Sequence, residues 1–523
     1  MADFVFGIDL GTTYSCIAYV DESGKPVVIQ NSEGENTTPS VVGFTQEGAV
    51  VGEIAKQTAA MDPDNTVSFV KRLMGEQDFA IHFDGEDKSP EDVSALILKR
   101  IAEDASKMIN AEVRDVVITC PAYFGDSHRI ATKNAGIIAG LNVMAVINEP
   151  TAAALFYGVS KDQGKKTILV YDLGGGTFDV TIMDINDGRI EVICSEGNHE
   201  LGGKDWDESL MHYIYSKFVE ETGYSGDFDA SMQHTLRLKA ETAKQQLSRR
   251  ESTVVMFDAA GLMARVEVTK STFNELTSAL LEQTIDETDK AIAIAKGKGY
   301  TVTDIILVGG STRMSQVEET LIAKYRMTPQ LVDPDEAVAK GAALHALYLA
   351  QKENELPPPP GETKRVRELP PGPRIEIDIV HATTKSYALE VLVNDEAMWN
   401  NLIIKNNPLI NNEINAKEQY GTNTANAPSV VLKVYENDFM DEYFEIKPNQ
   451  KILGDAVLNL SGDLPKGAPI EVTFSLNSEG LLTITGRDLT NGAFIESHMQ
   501  IEGSLTPQQI KEKTEKIGLT KTQ

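Results

Sequence analysis

Two hydrophobic patterns divide the chain near residue 355. Before this point, short apolar runs alternate with amphipathic helical stretches, which predicts an α/β fold with crossover connections. The pattern predicts strands at 27–30, 116–120, 143–147, 167–171, 189–195 and 304–308. It predicts helices at 89–109, 127–139, 205–222, 234–247, 272–296 and 335–351.

After residue 373 the chain reads as short alternating strands separated by turn residues. Ile470, Val472 and Phe474 fall on one face of such a strand, while Glu471 and Thr473 fall on the other. Many short strands with regular turn signals are typical of two packed antiparallel sheets. Residues 374–503 are therefore predicted to form a β-sandwich.

Residues 356–373 follow neither pattern and separate the two parts. Seven of these eighteen residues are proline, which predicts a semi-rigid linker of up to about 50 Å at about 3.1 Å per residue. Residues 504–523 contain Thr506-Pro507-Gln508-Gln509, a capping box that predicts a helix ending near Gly518. A helix this short is stable only when it packs against another surface.

One motif occurs twice. Residues 6–18 read F-G-I-D-L-G-T-T-Y-S-C-I-A, and residues 170–183 read V-Y-D-L-G-G-G-T-F-D-V-T-I-M. Each predicts a hairpin whose first strand ends in Asp-Leu-Gly before a tight turn. Backbone N–H groups in such a turn attract an anion. The adjacent carboxylate would repel that anion unless a cation lies between them. The pair predicts a polyphosphate held with Mg²⁺ between two lobes, whereas one copy alone could equally be an ordinary glycine turn.

The composition limits the partners of the chain. Its 523 residues carry a net charge of −30, which argues against nucleic acid or an anionic membrane as the main partner. Cys16, Cys120 and Cys194 are single residues in apolar strands, which predicts buried thiols rather than disulfides or zinc ligands. The sequence shows no signal-peptide pattern and no apolar run of the ~20 residues that a membrane span needs. A cytoplasmic, reducing compartment is expected.

Five motifs in order carry a resemblance to a known family. They are D-L-G-T-T at 9–13, N-E-P-T-A-A-A at 148–154, D-L-G-G-G-T-F-D at 172–179, G-G-S-T-R at 309–313 and D-P-D-E-A-V-A at 333–339. Over residues 4–350 the chain resembles the Hsp70 (DnaK-type) chaperones, and its β-rich part resembles their peptide-binding domain. The resemblance implies four units, namely an actin-like ATPase domain with duplicated ribonuclease H-like lobes at 1–355, a linker at 356–373, an antiparallel β-sandwich at 374–503 and the start of a helical lid at 504–523.

The resemblance also implies the site residues and the cofactors, which are ATP or ADP and Mg²⁺. The implied Mg²⁺ contacts, made through water, are Asp9 and Asp172. The implied catalytic residues are Lys71, Glu149, Asp172, Thr177 and Asp179. The implied nucleotide contacts are Gly11, Thr12, Thr13, Tyr14, Gly174, Gly175, Gly176, Thr177, Gly202, Gly203, Glu241, Lys244, Ser248, Gly309, Gly310, Ser311, Arg313 and Asp335. The implied peptide-binding residues are Leu389, Leu392, Tyr420, Val430 and Leu432.

Residue chemistry alone leaves some of these roles open. Transfer of a phosphoryl group to water needs positioning and charge neutralisation, which a lysine and a carboxylate-held Mg²⁺ supply. Lys71 by itself is more typical of a solvated helix lysine, and Glu241 with Lys244 could equally be a surface pair at i and i+3. The five sandwich residues could simply form a core, since a sandwich must bury such side chains.

The predicted function is an Hsp70-type chaperone that binds and hydrolyses ATP and binds exposed apolar segments of unfolded polypeptides. A J-domain co-chaperone is an implied partner, because Arg129 matches a family position near the lobe interface and the linker, and a nucleotide exchange factor is another. One alternative is a nucleotide-binding co-chaperone or scaffold that uses the fold without cycling. Another is an actin-like filament or a sugar kinase, which the β-sandwich disfavours.

Three departures from the family pattern modify this prediction. Gln245 stands where many members carry a basic residue that packs on adenine. The leucine-rich linker of the family is replaced by the proline-rich one, where Val366 and Leu369 are the apolar candidates, so weakened coupling between ATP and peptide release is expected. Only the start of the lid is present, so bound peptide is expected to dissociate quickly.

Overall fold

The fold is that of a computed structural model of the chain. It describes residues 3–76, 79–83, 85–122, 124–160, 164–186, 188–356, 366–370, 378–410, 412–448, 450, 452–460, 464–477, 482–498 and 505–523. Within these ranges the chain forms two mixed sheets with helices, then two antiparallel sheets and a final helix. None of the helices formed by these residues is both long and apolar enough to cross a bilayer.

The first lobe is built on a six-stranded sheet, with smaller sheets at its edge. Its strands are β1 (Phe6–Asp9), β2 (Tyr14–Val20), β3 (Pro26–Val28), β4 (Thr38–Pro39), β5 (Val41–Thr45), β6 (Gly48–Val51), β7 (Thr66–Ser68), β8 (Ile81–Phe83), β9 (Glu86–Lys88), β10 (Asp115–Cys120) and β11 (Asn142–Asn148). Its helices are α1 (Glu53–Thr58), α2 (Pro90–Ile109), α3 (Asp126–Ile138) and α4 (Glu149–Ser160). The main sheet has the order β11-β10-β1-β2-β3, with β4 paired to β2, and β1 is antiparallel to β2 and parallel to β10.

The second lobe repeats this arrangement. Its strands are β12 (Lys166–Leu173), β13 (Phe178–Asn186), β14 (Arg189–Asn198), β15 (Ser252–Ala259), β16 (Leu262–Thr269), β17 (Asp304–Val308) and β18 (Gln330–Leu331). Its helices are α5 (Gly203–Thr222), α6 (Ala230–Leu247), α7 (Lys270–Leu276), α8 (Ser278–Gly297), α9 (Ser315–Tyr325) and α10 (Ala337–Glu355). The order β18-β17-β12-β13-β14, with β12 antiparallel to β13 and parallel to β17, matches the first sheet strand for strand.

Helices α4 and α10 lie between the two sheets and join the lobes. Both contribute to one buried cluster that also contains Cys16 of β2 and Val170 of β12. Small residues allow close packing here, because a Cβ atom on Gly341 of α10 would overlap the carbonyl group of Ala152 in α4. This direct backbone contact fixes how the lobes sit against each other.

Gly341→Ala should lower the free energy of unfolding by about 3 kcal/mol, because the added methyl group meets backbone atoms that cannot rotate away. This value is the upper end of the usual cost of overpacking. Urea denaturation followed by circular dichroism measures the change. Gly297→Ala is the matched control, because a Cβ atom on Gly297 meets nothing within 4 Å. Equal stability of the two variants would contradict this account of the helix contact.

Two antiparallel sheets follow the lobes. The remaining strands are β19 (Asp378–Val380), β20 (Ser386–Val393), β21 (Glu396–Ile403), β22 (Glu413–Gly421), β23 (Ser429–Asn437), β24 (Tyr443–Glu445), β25 (Gly454–Asn459), β26 (Pro469–Asn477), β27 (Leu482–Asp488) and β28 (Phe494–His498). One sheet has the order β24-β21-β20-β23-β25 and the other β22-β26-β27-β28. Side chains from both, including Leu389, Val434 and Phe474, form one buried cluster, which is the two-layered packing of a β-sandwich.

Strand β19 lies outside the sandwich. It pairs in parallel with β14, aligning Ile379 with Ile190, and is the sixth strand of the second-lobe sheet. The prediction that the sandwich begins at residue 374 is therefore wrong for this first strand. Without β19, the outer edge of β14 would have unpaired N–H and C=O groups, and β19 forms hydrogen bonds with them.

Part of the proline-rich segment contacts the lobes. Residues 366–370 are described, and the rest of 357–373 lies outside the described residues. Arg367 pairs with Asp115 at 2.6 Å, and Leu369 packs against the buried cluster between the lobes. Leu369, and Ile379 of β19, thus give this part of the chain an apolar contact with the lobes, and the weakened coupling expected from the prolines stays a prediction.

The sandwich is docked on both lobes. Lys405, just after β21, pairs with Glu196 of β14 at 2.8 Å, and both side chains are largely buried. The N–H group of Ser195 donates to the side chain of Asn406 at 3.0 Å. On the first lobe, Ile130 of α3 packs against the sandwich core. These contacts place the sandwich beside the sheet edges and away from the cleft between the lobes.

The final helix, α11 (Pro507–Leu519), packs on the first lobe. It begins with the predicted capping box and with proline at its first turn. Ile517 is buried in the first-lobe core, and Lys513 forms an ion pair with α2. Beyond the helix, the N–H group of Ala49 donates to the carbonyl of Lys521 at 2.9 Å, so the chain extends the edge of β6. The helix therefore has the packing surface that its length requires.

Candidate nucleotide-binding and catalytic site

The turns after β1 and β12 face each other across the cleft between the lobes. A cavity of about 980 Å³ lies between them. The predicted site residues that line it are Asp9, Gly11, Thr12, Thr13, Tyr14, Lys71, Glu149, Asp172, Gly174, Gly175, Thr177, Gly203, Glu241, Lys244, Ser248, Gly309, Gly310, Ser311, Arg313 and Asp335. Gly176, Gly202 and Asp179 contact residues of this lining without belonging to it.

Glycines let the two turns come together. The N–H group of Gly174 donates to the carbonyl of Thr177 at 3.0 Å and closes the turn after β12. A Cβ atom on Gly175 would overlap Thr13 of the opposite turn, and one on Gly176 would overlap Thr12. A larger residue at either glycine would push the lobes apart. The same lack of side chains lets backbone N–H groups approach a phosphate closely.

Four carboxylates and one lysine converge at the closed end of the cavity. Lys71 forms a buried ion pair with Glu149 at the start of α4. Burial, and then Glu149, raises the pKa of Asp9 to about 7. The pKa of Asp172 is also raised, first by burial and then by Glu149, Asp179 and Asp9. One lysine does not balance this concentration of negative charge.

This excess of negative charge fits a divalent cation. Mg²⁺ prefers carboxylate and phosphate oxygens and usually keeps several waters, and its charge would favour the ionised forms of Asp9 and Asp172. Within the described ranges, no group of three or more His, Cys, Asp or Glu residues could hold a metal by itself. The arrangement therefore suits a cation held jointly by these two aspartates, water and a phosphate ligand.

Asp179 and Thr177 lie beside the carboxylates in fixed positions. Asp179 pairs with Asp172 across the β12-β13 ladder and accepts a hydrogen bond from the N–H group of Ala122 at 3.1 Å. Thr177 is buried and lines the cavity. A carboxylate and a hydroxyl group held in this way can orient a water molecule for attack.

The other end of the cavity is open and polar. Gly309 has a φ of 84°, a left-handed conformation that favours glycine. Ser311 donates to the carbonyl of Gly174 at 3.0 Å, which ties this end to the phosphate turn. Arg313 pairs with Asp335 at 2.5 Å and is half exposed at the mouth. A planar base and a sugar would find both polar partners and open space at this end.

Glu241 and Lys244 do not form the surface pair that their spacing allows. Lys56 of α1 pairs with Glu241 at 2.5 Å and donates to the hydroxyl of Tyr14 at 2.6 Å, which joins the two lobes. Lys244 pairs instead with Asp207 of α5 at 2.8 Å. Burial, and then Glu241, raises the pKa of Tyr14 to about 12. Both helix α6 residues therefore belong to the cleft.

Several residues at this site were not predicted from the sequence. Arg72 donates to the carbonyl of Gly176 at 2.6 Å and pairs with Asp205 at 2.6 Å, so it joins the lobes beside Lys71. Its position directly after Lys71 is a signal that could have been used. Residues that line the cavity and were not predicted include Lys204, Asp207, Arg249, Arg250 and Glu318. Lys204 and the pair Arg249-Arg250 directly follow predicted residues, whereas Glu318 reaches the cavity only through the tertiary fold.

The five predicted peptide-binding residues do not share one surface. Leu389 and Leu432 are buried in the sandwich core, and Tyr420 and Val430 pack against its margin. Leu392 is 51% exposed and lies three positions after Leu389, on the opposite face of β20. Core packing, the alternative interpretation, therefore describes Leu389 and Leu432. The assignment of the five residues to a peptide-binding pocket stays a prediction.

Arg129 lies beneath the sandwich. Its side chain donates to the carbonyl of Phe124 at 3.2 Å and to the side chain of Asn148. A small cavity of about 30 Å³ at this interface is lined by Arg129, His381 and Thr383, among others. Arg129 is only 7% exposed, so a partner would reach it fully only after the sandwich moves away.

Comparisons with known proteins agree with this geometry. The Hsp70 protein family model matches residues 5–521. Chaperone protein DnaK of Thermotoga neapolitana is 37% identical over 521 residues, which cover 97% of this chain and 82% of that protein. The proteins of the same name from Thermotoga maritima and Thermosipho africanus are also 37% identical, over 97% and 96% of this chain and 82% and 80% of their own lengths. The resemblance carried by the five motifs is thus confirmed, and the chain belongs to the Hsp70 family.

Proposed function

We propose that the chain is an Hsp70-type molecular chaperone of the cytoplasm that hydrolyses ATP and binds exposed apolar segments of unfolded polypeptides. The observation that carries the proposal is the convergence of Asp9, Lys71, Glu149 and Asp172 in one cavity between two glycine turns. Phosphoryl transfer to water depends on positioning and on neutralising charge, with little covalent chemistry for the protein to perform. These residues are suited to both tasks.

The nucleotide in this proposal is ATP or ADP, bound between the lobes of an actin-like ATPase domain. Its phosphates contact the turns after β1 and β12, and its nucleoside extends toward residues 309–313 at the open end. Asp9 and Asp172 would hold Mg²⁺ through water, and the ion would supply positive charge beside the phosphates. The salt bridge between Lys56 and Glu241 closes the cleft over the ligand.

Lys71 and the neighbouring carboxylates have separate roles in hydrolysis. Glu149 holds the ammonium group of Lys71 in a fixed, buried position. A positive charge that is oriented in advance stabilises the charge that develops on the transferred phosphoryl group. Thr177 and Asp179 orient the attacking water, and Asp179 is itself held by the N–H group of Ala122. This complete set favours hydrolysis over a scaffold that binds nucleotide without cycling.

The partners in this proposal follow from the docked sandwich. Unfolded polypeptides bind the sandwich through short apolar segments, which are held by backbone hydrogen bonds and pockets for side chains. A J-domain co-chaperone acts near Arg129, where the sandwich, the linker and the first lobe meet. A nucleotide exchange factor separates the lobes. The ion pair of Lys405 with Glu196 is one contact that must break when the sandwich leaves.

Titration calorimetry and turnover measurements on the same protein test the proposal. We expect saturable binding of ATP that requires Mg²⁺, slow hydrolysis of that ATP, and saturable binding of an apolar peptide. Asp172→Asn should weaken the Mg²⁺ dependence and hydrolysis together. Failure to bind ATP with Mg²⁺ would contradict the ATPase role, whereas hydrolysis without any peptide binding would contradict the chaperone role.

A further inference from the structure

The turn that carries Lys71 reaches the second lobe on both sides of that lysine. The turn is a 3-10 segment, Val70–Leu73, packed on the first lobe. On one side of Lys71, Arg72 pairs with Asp205 at the start of α5. On the other side, Phe69 carries no polar group yet also faces the second lobe. Two cations of the second lobe lie over its ring.

Phe69 is held in a left-handed conformation with two cations over its ring. Its φ is 61° and its ψ is 24°, which is unfavourable for a residue with a side chain. The ammonium nitrogen of Lys204 lies 4.8 Å from the ring centroid, and the guanidinium carbon of Arg237 lies 5.7 Å from it. Both distances are within the range of about 6 Å over which an aromatic face attracts a cation. The left-handed conformation of Phe69 therefore occurs together with a contact between its ring and two cations of the second lobe.

Lys204 belongs to the part of α5 that supports the phosphate turn. Its N–H group donates to the carbonyl of Gly175 at 2.7 Å, and the N–H group of Gly203 donates to the carbonyl of Gly174 at 2.9 Å. A displacement of this first helical turn would displace the turn at 174–177 with it. The ring of Phe69 is thus connected, through Lys204, to the backbone that lines the closed end of the cavity.

We propose that Phe69, Lys204 and Arg237 form a cation–π clasp that closes the cleft beside Lys71 and fixes that lysine relative to the turn at 174–177. Phe69 is a positioning residue in this account, because it acts through the turn that holds Lys71. Lys204 and Arg237 are its partners on α5 and α6. The inference rests on the proposed ATPase function and identifies residues that set its rate.

The local charge explains why an aromatic ring is suited to this position. Arg72, Lys204 and Arg237 bring three cations into one small region. Burial, and then Arg72, lowers the pKa of Lys204. An aliphatic side chain at position 69 would not attract Lys204 and Arg237, so this attraction between the lobes would be lost. The negative face of a ring attracts them, so the same cluster of charge holds the lobes together.

Phe69→Leu tests the clasp, with Phe69→Tyr as the matched control that keeps the ring. We expect Phe69→Leu to slow single-turnover ATP hydrolysis and to speed release of a fluorescent ADP analogue, each by about tenfold, which corresponds to about 1.4 kcal/mol. The loss should fall mainly on kcat, because the residue positions Lys71 and does not touch the nucleotide. Phe69→Tyr should keep both values within about twofold of wild type.

A double-mutant cycle assigns the effect to the two cations. Lys204→Met combined with Arg237→Met should reproduce the values of Phe69→Leu, and adding Phe69→Leu to that pair should then change little. Melting temperatures of all variants are measured in parallel to identify any loss of fold. Agreement across the cycle would support a contact between these side chains rather than a general loosening of the turn.

Three results would overturn the clasp. They are wild-type kinetics in Phe69→Leu, equal losses in Phe69→Leu and Phe69→Tyr, and an undiminished effect of Phe69→Leu when both cations are absent. Failure of the proposed ATPase function has a different signature, because the wild-type protein itself would then not hydrolyse ATP. The ADP-release measurement does not require hydrolysis, so it tests the clasp in that case as well.

Discussion

Lys71→Ala should slow single-turnover ATP hydrolysis by at least about 100-fold, while Mg²⁺-dependent ATP binding remains. The reason is that removal of one oriented, charged donor from a site that excludes water lowers the rate by about 10² to 10³. Lys71 is 4% exposed and its ammonium group is held by Glu149. A mobile surface lysine cannot take its place within the closed end of the cavity. Rapid mixing with radiolabelled ATP measures the rate directly.

Stability must be separated from catalysis in this variant. Loss of one partner from a buried ion pair leaves the other charge uncompensated, at a cost of about 3–5 kcal/mol. Lys71→Met combined with Glu149→Gln removes both charges and should recover much of that stability without recovering hydrolysis. Lys107→Ala is the matched control, since this α2 lysine is 70% exposed. Hydrolysis within about threefold of wild type in a folded Lys71→Ala protein would exclude the proposed role of Lys71.

The repeated Asp-Leu-Gly motif predicted the centre of the fold because its constraint is local. A strand that ends at Asp9 or Asp172 and turns through glycine forms a hairpin wherever it lies in the chain. Both hairpins occupy equivalent places in sheets of the same strand order, and their turns meet at the cavity. The sequence therefore indicated both the duplication and the place where a ligand fits.

The linker was misinterpreted because strand pairing depends on which edge is available. Residues 378–380 read D-I-V, and nothing in this short run separates them from the sandwich strands that follow. Their partner is the edge of β14 in the second lobe. The prolines before them are a strong local signal of a domain boundary. The start of the sandwich was therefore predicted directly after these prolines, before residues 378–380. A distant partner of this kind has no signature in the local pattern.

Tertiary contacts also decide features that the period of apolar residues cannot reveal. The helix predicted at 272–296 is two helices, α7 and α8, separated at Thr277. The hydroxyl of Thr277 donates to the carbonyl of Phe273 at 2.8 Å, and the amide of Gln316 donates to that hydroxyl at 3.1 Å. The partner of Glu241, which is Lys56 across the cleft, is hidden from the sequence for the same reason.

Acidification from pH 7 to 5 should release the sandwich from the lobes, with a change of about 100-fold in the docking equilibrium. Two partly buried histidines lie at this interface, His128 on α3 and His381 just after β19. Burial, and then Lys385, lowers the pKa of His128 to about 4. Burial, and then Arg129, lowers the pKa of His381 to about 4. Neither ring accepts a proton readily while the sandwich is docked.

The direction of the effect follows from the state that binds the protons. In the undocked protein both rings meet water and titrate near their ordinary pKa of about 6.5. Docking is therefore insensitive to pH above about 7, weakens as the pH falls below about 6.5, and stops weakening near pH 4. The full pKa change would weaken the docking equilibrium by about 30-fold per histidine at pH 5. We expect roughly tenfold for each histidine, because both rings retain some contact with solvent.

Other charged groups at the interface do not reverse this direction. Arg129 adds positive charge beside both rings, which lowers the pKa of each. Although burial opposes it, Lys385 and then Lys405 lower the pKa of Asp438, so that carboxylate remains charged at pH 5. Protonation of the histidines thus adds cations to an interface where the lysines and Arg129 are already positive.

Energy transfer between a dye on α2 and a dye on β25 measures docking, because the three native cysteines are buried and introduced ones would be labelled first. Wild-type protein should lose transfer between about pH 6.5 and 5, whereas His128→Gln combined with His381→Gln should stay docked over that range. His82→Gln is the matched control, since this histidine is 71% exposed on the first lobe and should behave as wild type. If energy transfer in the wild-type protein stays constant down to about pH 4.5, protonation of these histidines does not control docking. An unchanged pH profile in the double variant would instead assign the effect to groups other than these two histidines.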